Sequence, residues 1–166
     1  DVSRLFVYYN ARAKKGTPVR DTGCSMTNAI ESLEEAGVCL ESVWPYDISQ
    51  VNIRPSDEAY QEGLEHQITE ALKININLNE MKTCLAQGFP FAFGLRLYKS
   101  FDKARPSGVV PMPDESEQSR SEHGSHALLA VGYSDQSQAF IVRNSWGEDW
   151  VDRSCLSKLN FIFDFC

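Results

Sequence analysis

Ser125-His126-Ala127-Leu128-Leu129-Ala130-Val131-Gly132-Tyr133, then Ala139-Phe140-Ile141-Val142-Arg143-Asn144-Ser145-Trp146, is the stretch whose reading decides the fold. Both runs are apolar and rich in strand-forming residues, and the polar turn Ser134-Asp135-Gln136-Ser137-Gln138 separates them. Strands over residues 126–133 and 139–144, closed into a hairpin, are therefore predicted. If Tyr133 pairs with Ala139, His126 faces Trp146 and Leu128 faces Asn144. All four then share one face, with Asn144 a diagonal neighbour of His126 about 7–8 Å away. A slip of one residue would send His126 and Asn144 to opposite faces. An amide oxygen can hold one ring N–H of an imidazole and leave its other nitrogen for a nucleophile. A covering indole shields that hydrogen bond from water. On geometry alone a structural histidine and a catalytic one are equally open.

Upstream of the hairpin the texture is helical. Ser3 is placed to cap a helix reaching about Lys15, with Gly16 as its stop. Ser25 or Thr27 caps a second helix that carries Ala29, Ile30, Leu33 and Ala36 at helical spacing and ends at Gly37. A short helix covers residues 56–66. Residues 68–76 alternate loosely and read as a strand, Asn79 caps a helix through Gln87, and residues 89–97 form an aromatic-rich strand. Residues 105–123, with three prolines and an acidic stretch, read as a surface loop. Helices first and strands after make an α+β class, divided into residues 1–67 and 68–166.

Hydrophobic residues make up 42% of the 166, and charged residues 23%, proportions that argue against disorder. A net charge of −7 without a basic tract excludes nucleic acid and anionic membrane as expected partners. No stretch approaches the roughly 20 apolar residues of a membrane-crossing helix. The five cysteines, at 24, 39, 84, 155 and 166, cannot all pair within one chain and show no CxxC spacing, so the compartment stays open. Glu122-His123-Gly124-Ser125-His126 offers two imidazoles but no metalloprotease pattern, and no metal site is predicted.

The segments 125–133 and 143–150 resemble the His and Asn segments of papain-like cysteine peptidases. Ser3-Arg4-Leu5-Phe6-Val7-Tyr8-Tyr9-Asn10-Ala11-Arg12, Gly37-Val38-Cys39 and Trp44-Pro45-Tyr46-Asp47 resemble a bacterial-type branch of that family. So do Gly88-Phe89-Pro90-Phe91-Ala92-Phe93-Gly94 and Gly108-Val109-Val110-Pro111. The resemblance implies a papain-like fold: a partial helical lobe and a β-barrel-like lobe, with a peptide or protein substrate in the cleft between them. It implies no cofactor. His126 matches the general base, Asn144 the residue that orients it, and Trp146 its indole shield. Gly23, Cys24 and Ser25 fall where the family has a Gly-rich segment lining substrate subsites.

The same resemblance places the nucleophilic cysteine about 130–150 residues before the histidine, which falls ahead of Asp1. Because the numbering opens on Asp1 rather than Met, sequence upstream is expected, including an N-terminal peptidase segment with the nucleophile. Cys24 leads into a helix but sits in the substrate-loop position, so it is not expected to replace that thiol. After Trp150 the family's Gly and Gly-Tyr give way to Val151-Asp152-Arg153-Ser154-Cys155. Two readings follow. One is a cysteine peptidase chain that is inactive without its nucleophile segment; the other is a non-catalytic pseudopeptidase that binds peptides or a protein partner.

Overall fold

A computed structural model of the chain describes residues 1–104, 107–114, 116–117 and 124–147 in full, and 156–160 as backbone. The fold is α+β, in two compact units, Asp1–Lys73 and Ile74–Cys166.

The first unit begins as predicted. Ser3 caps α1 (Arg4–Ala13), its Oγ accepting from the Phe6 N–H at 3.2 Å and donating to the Trp44 carbonyl at 2.6 Å. One buried hydroxyl thus starts a helix and ties it to a segment forty residues away. Ser25, not Thr27, caps α2 (Met26–Glu35). The third helix is shorter than expected: α3 (Asp57–Gly63), capped by Ser56. Phe6, Cys39 and Ala59 form the core, with Tyr60 packed against Phe6 at 5.1 Å between ring centroids. Gly37, at φ +66°, lets the chain leave α2 in backbone contact with Gly63, so both positions exclude a side chain.

From residue 68 onward three expectations are corrected. Residues 68–76 form no strand: Leu72 and Ile76 are exposed, so the loose alternation has no buried face to serve. Asn77, not Asn79, caps α4 (Leu78–Ala86), because its Oδ1 reaches two backbone N–H groups, those of Asn79 and Glu80. Part of the expected 105–123 loop is ordered as β2 (Val109–Val110), while much of its acidic stretch lies outside the described residues. The aromatic strand is β1 (Phe91–Arg96), followed by a 3₁₀ turn over Lys99–Ala104. The hairpin is β3 (Ser125–Ser134) and β4 (Ala139–Arg143), and Leu156–Asn160 forms β5. The sheet order is β1-β3-β4-β5-β2, antiparallel except for the parallel β2–β5 pair.

The hairpin register differs from the expected one at its turn. Ser134 pairs with Ala139 and Tyr133 with Phe140, one residue away from the predicted pairing. Carried straight through, that register would set Asn144 opposite Leu129 and turn it away from His126. A β-bulge at Val131 absorbs one residue, so that Ala130 pairs with Val142 and Leu129 with Arg143. Beyond the bulge the predicted pairing is restored. His126, Leu128 and Ala130 on β3, and Phe140 and Val142 leading to Asn144, lie on the face that carries the core. That core also takes in Phe93, Leu95, Leu97, Phe101 and Met81 of α4. His126 and Asn144 are the polar end of this buried stripe.

No helix among the described residues is long and apolar enough to cross a membrane. Among them no cluster of three or more His, Cys, Asp or Glu is placed to hold a metal; His123 lies outside them.

Candidate active site

His126 stands near the start of β3, its backbone paired with Leu95 of β1. Asn144 follows the last residue of β4 and is 8% exposed. The His126 Nε2 lies 2.7 Å from Asn144 Oδ1, and the Ser145 N–H donates to the same oxygen at 2.8 Å. The Ser145 N–H, a donor whatever the imidazole tautomer, fixes which end of the carboxamide is oxygen, since an NH₂ there would face an N–H. The amide holds this orientation although its buried Nδ2 finds no partner among the described residues. A carbonyl oxygen only accepts, so Nε2 carries the proton. In the neutral imidazole Nδ1 is then the basic nitrogen.

Two rings cover this pair. The Trp146 indole stacks on the imidazole at 4.7 Å with an interplanar angle of 28°. Phe101, 3% exposed, meets His126 edge-on at 6.5 Å and Trp146 at 5.5 Å. Aromatic cover lowers the local dielectric and strengthens the imidazole–carboxamide bond. Phe101 is the positioning residue that the sequence does not single out. It comes from the 3₁₀ turn after β1, and no periodicity marks such a turn.

The structure brings His126, Asn144 and Trp146 together. Gly23, Cys24 and Ser25 belong to the first unit and have local duties. Gly23, at φ +75°, donates its N–H to the Tyr8 hydroxyl at 3.0 Å. Ser25 Oγ is the α2 cap and accepts from the Asn28 N–H at 3.1 Å. The Cys24 thiol is half-buried, and that burial pushes its pKa up against the opposing pull of Lys15 and Arg12. Burial also raises the Cys39 thiol. Cys155 and Cys166, like the altered segment after Trp150, lie outside the described residues.

A fold of this class carrying this pair invites comparison with known proteins. The model of the papain family cysteine proteases matches residues 17–157, and the chain belongs to that family. It is 35% identical over 158 residues to an uncharacterized peptidase C1-like protein of Acanthamoeba polyphaga mimivirus, covering 89% of this chain and 50% of that protein. A cysteine proteinase of Entamoeba histolytica is 27% identical over 80% of this chain and 42% of its own length. Among solved structures, xylellain, a cysteine protease from Xylella fastidiosa, superposes with a TM-score of 0.85 at 32% identity. That match covers 96% of this chain and 63% of xylellain. A Carica candamarcensis cysteine protease shares the fold at 18% identity, with a TM-score of 0.66 over 96% of this chain and 67% of its own. The chain spans about half the length of the curated relatives it matches.

Proposed function

We propose that His126, Asn144 and Trp146 form the base half of a papain-type cysteine-peptidase centre acting on peptide or protein substrates. The supporting observation is the 2.7 Å bond from Nε2 to Asn144 Oδ1 beneath the Trp146 stack, which leaves Nδ1 as the basic nitrogen. In this reading Nδ1 takes the proton of a cysteine thiol and the thiolate attacks the peptide carbonyl carbon. The Nδ1–H then protonates the departing amine as the C–N bond breaks. For deacylation Nδ1 accepts a proton from water, whose oxygen displaces the thiol from the acyl carbon. Throughout, Asn144 Oδ1 accepts the Nε2–H, so the ring keeps its orientation whether neutral or charged.

Neither Cys24 nor Cys39 is the nucleophile in this proposal. A papain-type thiol needs its pKa depressed, and burial pushes both the other way. The nucleophile is assigned instead to an N-terminal peptidase segment additional to these 166 residues. The isolated chain is accordingly expected to hydrolyse no fluorogenic peptide. Extended at its N-terminus by a papain-type nucleophile segment, it should gain activity that falls on the order of 10³-fold in His126→Ala. Hydrolysis by the isolated chain that is lost in Cys24→Ser would contradict the assignment. So would an active extended chain that is indifferent to His126→Ala.

A further inference from the structure

The first unit holds a cation with no anion to match it. Arg12 is 2% exposed, yet its guanidinium donates only to neutral acceptors: the Tyr8 carbonyl, Asn52 Oδ1 and the Val51 carbonyl. It also lies 4.0 Å over the Tyr8 ring, which offsets part of its desolvation. No carboxylate forms an ion pair with it among the described residues, although buried charges are ordinarily paired. The Asp21 carboxylate accepts from the neutral Tyr8 hydroxyl at 2.6 Å and keeps its charge, while Glu31 and Glu35 pair with Lys14.

Arg12 forms part of the wall of a half-open surface hollow of about 160 Å³ whose lining also includes Lys15, Arg20, Thr17 and Thr22 and contains no acidic residue. The volume is several times the roughly 30 Å³ share of one water, room enough for a small polyatomic ion. Lys15 has only the Gly23 carbonyl, at 3.4 Å, and Arg20 has no ion pair among the described residues. The C-terminus of α1 points here with a partial charge near −0.5, too little to balance three cations.

We propose that this hollow binds a small oxyanion of the phosphate type, gripped by Lys15 and Arg20 and held in the field of Arg12. With Asp21 and the helix dipole counted against the three cations, the excess is roughly +1.5, which phosphate, carrying between one and two negative charges near neutral pH, offsets. The site is independent of the catalytic proposal, since it uses none of the same residues.

Cys24 is a built-in reporter, because Lys15 and Arg12 both pull its thiol toward ionisation. A bound oxyanion offsets that pull, raises the thiol pKa and lowers the thiolate fraction. Inorganic phosphate added to the 166-residue chain at constant ionic strength should therefore slow Cys24 alkylation by iodoacetamide in a saturable way. The rate is followed by mass spectrometry of the Cys24 peptide. The double variant Lys15→Gln/Arg20→Gln, at two exposed positions, should raise the phosphate concentration needed for half-maximal slowing at least about tenfold, with the pull of Arg12 still available to read it. Acetate at equal ionic strength should give little effect. No saturable slowing, or an unchanged half-maximal concentration in the double variant, would overturn the site; equal slowing by acetate would overturn its preference for a phosphate-type oxyanion.

Discussion

Gly37→Ala is expected to cost the Asp1–Lys73 unit a large share of its stability. A Cβ at this position would lie 1.8 Å from the Gly63 carbonyl oxygen and 2.7 Å from its carbon. Both are backbone atoms, so no side chain can rotate away, and α3 would have to retreat from the end of α2. The backbone at φ +66° adds its own penalty for an L-residue. Overpacking and left-handed strain together cost about 3–5 kcal/mol, against a total of roughly 5–15 kcal/mol for a typical domain. Retreat of α3 would also pull Gly63 off the Phe6 ring and open the small core of Phe6, Cys39 and Ala59. Gly23→Ala supplies the control: φ is +75°, but nothing lies within 4 Å of the added carbon. It should cost only the strain, about 1–2 kcal/mol. Urea unfolding followed by far-ultraviolet circular dichroism checks both. Equal losses in the two variants would show that the contact with Gly63 carries no weight.

Phe101→Ala is the second large effect, and it joins stability to the site. Its ring is 3% exposed and packs into the core of the second unit while touching both His126 and Trp146 edge-on. Truncating a buried phenylalanine costs about 3–5 kcal/mol, including the cavity left behind. The imidazole and indole would also lose the ring that both meet edge-on. Near-ultraviolet circular dichroism should report a loss of fixed indole environment at denaturant concentrations where far-ultraviolet signal persists. Phe101→Leu keeps more volume and should lose less of both. A Phe101→Ala chain with unchanged near-ultraviolet signal would show that the rings do not depend on it.

The helices were largely legible because their start signals are local. Ser3, Ser25 and Ser56 each satisfy an orphan N–H within three residues, which sequence spacing records directly. Asn77 was missed because Asn77 and Asn79 are equally good caps by type, and only backbone geometry chooses between them. Residues 68–76 misled because alternation without a buried face is not a strand signal.

The hairpin is more instructive. Its expected register fails at the turn yet holds at His126 and Asn144, because the bulge at Val131 adds the one residue that the turn displaced. Alternation could place the pair on a common face only by ignoring both irregularities. Neither leaves a mark in the apolar pattern, since Val131 is as apolar as its neighbours. Phe101 was invisible for a related reason: its contacts arise from a turn whose direction no short-range rule sets.

Which nitrogen of His126 carries the proton decides whether this imidazole can serve as the base, and long-range ¹⁵N–¹H correlation in the 166-residue chain measures that directly. In the neutral form the expected state is Nε2–H with Nδ1 unprotonated, and Asn144→Ala should release this preference into a mixture of tautomers. An Nδ1–H imidazole in the unaltered chain would contradict the account, because the carboxamide would then hold the wrong nitrogen for a thiol's proton.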